Sequence, residues 1–260
     1  MIVGGQSFKN GTFIMAIVNL TPDSFWQGSR ATADDVLFRV EQAIKDGASI
    51  IDLGGQSTRP GYSEVSASTE TERLCRPVRE IKRRFPVPVS VDTYFPECAK
   101  AVLDEGADMI NDVWGLTKEG MAETVAKYGA SVCIMHNSES KLTGDIFPQI
   151  TSFLQGSVNC ALKVGIDKNK ICLDGGIGFA KDAVQCRELL NGYDKLSALG
   201  YPLLLGASRK SMFGGRVEDR LPATLQSTRL AVRKKVLFVR VHDVKENAQA
   251  IKEEYERNSY

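Results

Sequence analysis

Long apolar runs are missing from this 260-residue sequence. None approaches the roughly 18 residues of a bilayer span, which leaves no candidate membrane helix. A charge excess of one sign is missing too: 33 Lys and Arg face 32 Asp and Glu, for a formal net charge of +1. That balance removes the bulk electrostatic footprint of a nucleic-acid or anionic-membrane binder. Six cysteines, Cys75, Cys98, Cys133, Cys160, Cys172 and Cys186, include no C-x-x-C pair, so neither a zinc motif nor a disulfide scaffold is indicated. Free thiols packed as small apolar groups in a reducing cytoplasm are expected. The opening residues Met1-Ile2-Val3-Gly4-Gly5 lack the basic and apolar regions of a secretory signal, which gives the same cytoplasmic expectation. Histidine is scarce, with two in the chain, so His242 carries weight as a candidate, while for His136 a ligand role and a structural one stand level. No low-complexity tract, short repeat or internal boundary appears, and one domain over 1–260 is expected.

What is present is a recurring unit. Eight short apolar runs, at 14–18, 50–53, 87–91, 109–110, 131–135, 171–173, 202–205 and 236–241, each precede an amphipathic stretch. Helical patterns lie at 33–46, 69–84, 96–105, 118–128, 149–164, 182–198, 221–234 and 244–257. Alternation at this density predicts βαβ units on a parallel sheet, and eight units favour closure into a (β/α)₈ TIM barrel, for which about 250 residues is typical. A doubly wound open sheet is the alternative, because periodicity does not report closure. Asn10-Gly11, a tight-turn pair before the first run, predicts a hairpin beneath the barrel floor.

Each apolar run ends on a polar or charged group: Asn19, Asp52, Asp92, Asn111, His136, Asp174, Ser208 with Lys210, and Arg240 with His242. In a parallel barrel these carboxyl-terminal ends converge at one mouth. A carboxylate there is poorly solvated unless it meets donors or a metal, and three of them beside Asn111 point to a ligand site. For any single Asp, a helix cap or a local ion pair is the competing explanation. Arg240 and His242 share one face of their strand under period-two alternation, and two donors there suit a diphosphate. Arg59 sits in the Gly/Ser/Thr/Pro loop 54–61 and offers a bidentate fork for phosphate or carboxylate. Lys210 opens a helical segment that attracts anions, whereas Arg209 reads as a surface base. Together these groups suit a flat, hydrogen-bond-rich molecule with an anionic tail.

The ordered blocks also resemble a known family. Residues 17–25 (IVNLTPDSF), 51–61 (IDLGGQSTRPG), 90–93 (SVDT), 110–113 (INDV), 173–179 (LDGGIGF), 208–211 (SRKS) and 240–244 (RVHDV) are similar, in order, to the signatures of dihydropteroate synthases. The resemblance implies a dimeric (β/α)₈ barrel of folate biosynthesis that joins (7,8-dihydropterin-6-yl)methyl diphosphate to 4-aminobenzoate with Mg²⁺. It further implies that Asp92, Asn111, Asp174 and Lys210 bind the pterin, with Asp52 on the pterin side and Arg240 stacked on the ring. Asn19, Arg59, Arg240 and His242 would hold the diphosphate, with Mg²⁺ near Asn19. Thr58, Arg59, Pro60 and Ser208 would meet 4-aminobenzoate. Asp92, Asp174, Lys210, Arg240 and His242 are the implied catalytic set.

The sequence departs from the family at Gln27, where an acidic residue is common, at Gly175, where Pro is usual, and over 137–140. A corrinoid-linked pterin methyltransferase, a catalytically impaired pterin-binding paralogue and a Schiff-base aldolase using Lys210 are the alternatives.

Overall fold

Gly4 and Gly5, at φ +55° and +78°, make the two-residue turn between β1 (Ile2–Val3) and β2 (Gln6–Ser7), which pair antiparallel. Positive φ at both turn residues matches the right-handed twist of a hairpin and favours glycine. The hairpin exists as expected, but its turn lies here and not at Asn10-Gly11; Asn10, at φ 52°, steers the chain into the barrel. The computed structural model describes residues 1–20, 30–56 and 65–258.

Eight parallel strands close the barrel: β3 (Phe13–Asn19), β4 (Ala48–Gly54), β5 (Val89–Asp92), β6 (Met109–Asp112), β7 (Ser131–Met135), β8 (Ile171–Asp174), β9 (Leu203–Leu205) and β10 (Phe238–Val241). Pairing of β10 back onto β3 rules out the open sheet. The helices among the described residues are α1 (Arg30–Lys45), α2 (Ala67–Arg84), α3 (Pro96–Asp104), α4 (Met121–Tyr128), α5 (Ile146–Lys163), α6 (Ala183–Asn191), α7 (Leu221–Arg233) and α8 (Val244–Asn258). No helix among them is long and apolar enough to cross a membrane.

Alternation along the strands divides the core. Ala16, Val18, Ile51, Leu53, Val91, Ile110, Ile134, Leu173 and Val241 pack outward in the large cluster shared with the helices. Met15, Ile50, Met109, Cys133, Cys172, Leu204 and Phe238 point inward and fill the barrel's lower half, each buried. Phe8, just after the hairpin, closes the floor with ring centroids 5.1 Å from Phe13 and 5.3 Å from Phe238. Burial contributes about 1.5–3 kcal/mol for each such large apolar side chain. Above this layer the inward positions turn polar: Asp52, Ser90, Asp92, Asn111, Asp174 and Arg240. All six cysteines are free thiols, with Cys75 half-buried and Cys160 exposed.

Several boundaries differ from the sequence reading, each for a local reason. The helix expected over 182–198 stops at Asn191 and resumes as a 3₁₀ stretch, Tyr193–Leu199. Gly192 at the break abuts Phe147, whose ring would lie 2.5 Å from a Cβ there. The helix expected from 149 starts at Ile146, because Asp145 accepts a hydrogen bond from Phe147 N at 3.0 Å and caps it earlier. Gly120, at φ +85°, delays α4 to Met121.

Candidate active site

Register decides which strand-end groups meet. Gly54 pairs with Asp92 and Asp92 with Asn111, while Asp52 pairs with Ser90 one layer below. Strand β4 therefore runs two residues past Asp52, which is fully buried rather than terminal. Arg240, from β10, reaches across the barrel and donates from Nε to Asp52 Oδ2 and from Nη2 to Asp92 Oδ2, both at 2.6 Å. Burial works against the guanidinium's charge, but Asp52 and then Asp92 outweigh it and raise its pKa. Burial also pushes Asp92 up to about 7; Arg240 opposes the shift, and Asp52 and Glu70 add to it. Asp52 Oδ1 and the neighbouring Ser90 Oγ are buried without a hydrogen-bond partner.

Asp174 faces the same hollow from β8. Its Oδ1 accepts Gly176 N–H at 2.8 Å and lies 2.9 Å from the Tyr193 hydroxyl, which fixes the carboxylate plane. Tyr193 Oη accepts Gly175 N–H at 3.0 Å, and its one proton is shared between Asp174 and the Leu204 carbonyl. Gly206 lies beside Asp174 Oδ2, where a Cβ would stand 3.4 Å away in ordinary van der Waals contact. Burial raises the Asp174 pKa, against the pull of Gly176 and Tyr193. Asn111 is buried between Asp92 and Cys133 in register.

Lys210 closes the far side. Its Nζ lies 4.4 Å from the centre of the Phe179 ring, and its stem runs along Gly178, where a Cβ would meet Lys210 Cδ at 3.2 Å. Burial and Arg240 bring its ammonium down to about 8, with Asp174 and Asp92 pulling the other way. Tyr94, Val113 and Met135, with Trp114 and Phe179 against them, form an apolar wall at the same strand ends. Ser208 Oγ lies 2.9 Å from His242 Nδ1 and accepts the His242 backbone N–H at 3.2 Å, so these two sequence candidates form one unit. Asn19 ends β3 beside Gly54, where a Cβ would sit 3.2 Å from Asn19 Oδ1.

One candidate, His136, and two neighbours of the candidates, Arg209 and Asp112, are structural. Arg209 grips Asp243 through Nε and Nη2 at 2.8 and 2.7 Å, as expected of a base outside the site. Asp112 points outward from β6 and accepts Trp114 and Leu116 N–H at 2.8 and 2.7 Å, organising the next turn. His136 follows the inward Met135 and turns away from the hollow; burial, then Lys181, push its pKa down to about 4.

The sequence reading missed Tyr193, Lys181 and Glu70. Glu70, on α2, is 2% exposed and accepts Thr93 Oγ1 at 2.5 Å behind Asp92. It also packs on Gly55, where a Cβ would meet Glu70 Cγ at 2.8 Å. Each sits on a helix or loop whose amphipathic pattern resembles a solvated face. Gln56 spans the next loop's two ends, accepting Val65 N–H at 2.8 Å and donating to Tyr94 Oη at 3.1 Å. Thr58, Arg59, Pro60 and Gln27 lie outside the described residues.

Among the described residues no group of three or more His, Cys, Asp or Glu side chains is arranged to hold a metal ion. Mg²⁺ takes oxygen ligands and keeps waters and substrate phosphates in its shell. The carboxamide oxygen of Asn19 fits such an ion as a single protein ligand.

Residues 15–242 match the family described as pterin binding enzyme. The chain is 42% identical over 261 residues to a dihydropteroate synthase of Clostridium beijerinckii, with 97% of each chain covered. It superposes, with a TM-score of 0.93 and 41% identity over 97% of this chain and 98% of the other, on a Clostridium difficile dihydropteroate synthase crystallised with pteroic acid. A Xanthomonas albilineans dihydropteroate synthase with 4-aminobenzoic acid gives a TM-score of 0.92 at 32% identity, over 96% and 94% of the two chains.

Proposed function

This chain belongs to the pterin-binding enzyme family, among its dihydropteroate synthases, and from that premise we propose how the barrel mouth performs the reaction. The enzyme is a transferase of folate biosynthesis: it condenses (7,8-dihydropterin-6-yl)methyl diphosphate with 4-aminobenzoate to 7,8-dihydropteroate and diphosphate. The observation that carries the residue assignment is the convergence of Asp92, Asp174 and Asn111 with Arg240 and Lys210 on one hollow.

A pterin presents adjacent donors on its amino-pyrimidinone edge. Asp174 accepts them, held in plane by Gly176 and Tyr193, while Asn111 and Asp92 take the neighbouring edge. Asp52 acts at one remove, by holding Arg240 against the ring side. Three carboxylates (Asp52, Asp92, Asp174) against two cations (Arg240, Lys210) leave the deep end negative when all are ionised. When the exocyclic C–O bond breaks, its electron pair leaves on the diphosphate oxygen and the CH₂ becomes cationic, delocalised into the ring. Buried carboxylates stabilise that charge, and the amine of 4-aminobenzoate then forms the C–N bond and releases a proton. This is a dissociative, SN1-like displacement.

His242, oriented by Ser208, and Arg240 face the departing diphosphate, with Arg59 assigned there by family resemblance. Asn19 would hold Mg²⁺, which supplies charge neutralisation of the diphosphate. Thr58, Pro60 and Ser208 are assigned to 4-aminobenzoate on the same resemblance. A cytoplasmic homodimer is likewise the family's arrangement, and sedimentation tests the dimer.

The experiment is turnover: purified enzyme given both substrates releases diphosphate in step with 7,8-dihydropteroate, and sustained release stops when 4-aminobenzoate is withheld. Methyl transfer to a corrinoid acceptor, or pterin binding without turnover, would overturn the assignment.

A further inference from the structure

Lys181 stands just before Asp182, the N-cap of α6, a position at which a lysine would ordinarily reach into water. Instead it is 8% exposed, and its ammonium finds three acceptors: the Gly176 carbonyl at 3.0 Å, the Phe179 carbonyl at 2.9 Å and His136 Nδ1 at 2.9 Å. Three donors meet three acceptors, so every N–H of the ammonium is used. The bonds run in two directions. Two fold the 174–181 turn onto itself, and the third ties it to the strand end after β7, where the His136 ring also packs 4.9 Å from Phe153.

That turn carries the parts of the pocket that need fixing. Gly176 donates to Asp174 Oδ1 at 2.8 Å, and Phe179 supplies the ring beneath the Lys210 ammonium. Gly176, at φ +71°, lies so close to the His136 backbone that a Cβ there would stand 2.0 Å from the His136 carbonyl oxygen. The turn is therefore pressed flat on the His136 backbone, and Lys181 is the clamp on its side-chain flank. A buried ammonium is tolerated only where its hydrogen bonds are complete, and burial already pulls this one down to about 8. A group kept under that strain between the two arms of a ligand pocket has its energetic return in the arms it joins.

We propose that Lys181 is a positioning residue for the pterin: by clamping the 174–181 turn to His136 it sets the orientation of the Asp174 carboxylate and of the Phe179 ring under Lys210. Lys181 does not touch substrate; it acts through Asp174 and Phe179. The role rests on the pterin reading of the mouth given above.

Two variants test it, with steady-state kinetics for both substrates and calorimetric binding of pteroic acid. Lys181→Met keeps the aliphatic stem and removes every donor; Lys181→Gln keeps two N–H groups and serves where the Met variant does not fold. Arg233→Met, which breaks the remote 2.9 Å pair with Glu254, supplies a control destabilised away from the mouth. The expected result is a tenfold or greater rise in the pterin KM and in the pteroic acid Kd for the Lys181 variants. The control keeps its pterin KM within twofold at a similar loss of Tm. A folded Lys181→Met or Lys181→Gln enzyme with a pterin KM within twofold of wild type overturns the proposal. An inactive wild-type enzyme in the same assay would instead overturn the functional reading, so the two failures are distinguishable.

Discussion

Replacing Asp174 by Asn removes one charge and almost no volume, which makes it the cleanest perturbation of the pocket. The amide oxygen takes over the bonds from Gly176 N–H and the Tyr193 hydroxyl, now 2.8 and 2.9 Å from Oδ1. Its NH₂ then occupies the place of Oδ2, and a donor faces the donors of the amino-pyrimidinone edge. Two hydrogen bonds to a charged acceptor are lost, each worth about 1.5–3 kcal/mol. The expected loss of pterin affinity is about 3 kcal/mol or more, a hundredfold or greater. Folding stability changes little, because burial raises the Asp174 pKa and makes its charged form costly in the empty pocket. Calorimetric titration with pteroic acid reads the affinity, and a thermal melt of the same samples reads the stability. Affinity within threefold of wild type at unchanged Tm would refute the role given to the carboxylate.

The remaining expectations concern charge. The pH profile of kcat/KM for the pterin substrate is expected to be bell-shaped, rising near 7 as Asp92 ionises and falling near 8 as Lys210 loses its proton; a flat profile from 6 to 9 contradicts this. Arg240→Met strands the fully buried Asp52 beside Asp92, which is expected to destabilise the fold by about 3–5 kcal/mol when both are charged. Burial already raises Asp92 and Arg240 opposes that rise, so without the cation its folded-state pKa lies further above the unfolded one; denaturant midpoints of this variant should therefore recover as pH falls, and equal deficits at pH 5.5 and 8 would count against the pairing. His136, held at about 4 by burial and Lys181, binds its proton less readily folded than unfolded. Stability should therefore drop by up to roughly 3 kcal/mol as pH falls from about 6.5 towards 4, and urea unfolding of His136→Asn should lose that dependence.

Much of this architecture is legible in the chain because the βα alternation is regular and Gly and Asp punctuate the strand ends. Asp92, Asn111, Asp174 and Arg240 could be gathered from sequence since one topology brings all the carboxyl-terminal strand ends together. Depth could not. Asp52 looks terminal, yet β4 continues through Leu53 to Gly54, and only the barrel's stagger shows that Asp52 meets Arg240 one layer below Asp92. Asn111 and Asp112 look equivalent in a string, and the pleat sends one to the ligand side and the other to the Trp114 turn. Tyr193 was hidden inside an apparent helix that Phe147 interrupts at Gly192. Glu70 and Lys181 carry charges on segments that read as solvated, and their burial follows from tertiary contacts with Thr93 and His136 that no local pattern encodes.

A crystal structure with a bound dihydropterin examines the arrangement of acids and bases most directly. The ring should lie with its amino-pyrimidinone edge on Asp174 and Asn111, between Asp92 and Lys210, and with its exocyclic carbon turned towards Arg240 and His242. A ring seated with that edge outward, or held away from Asp174 altogether, would contradict the account.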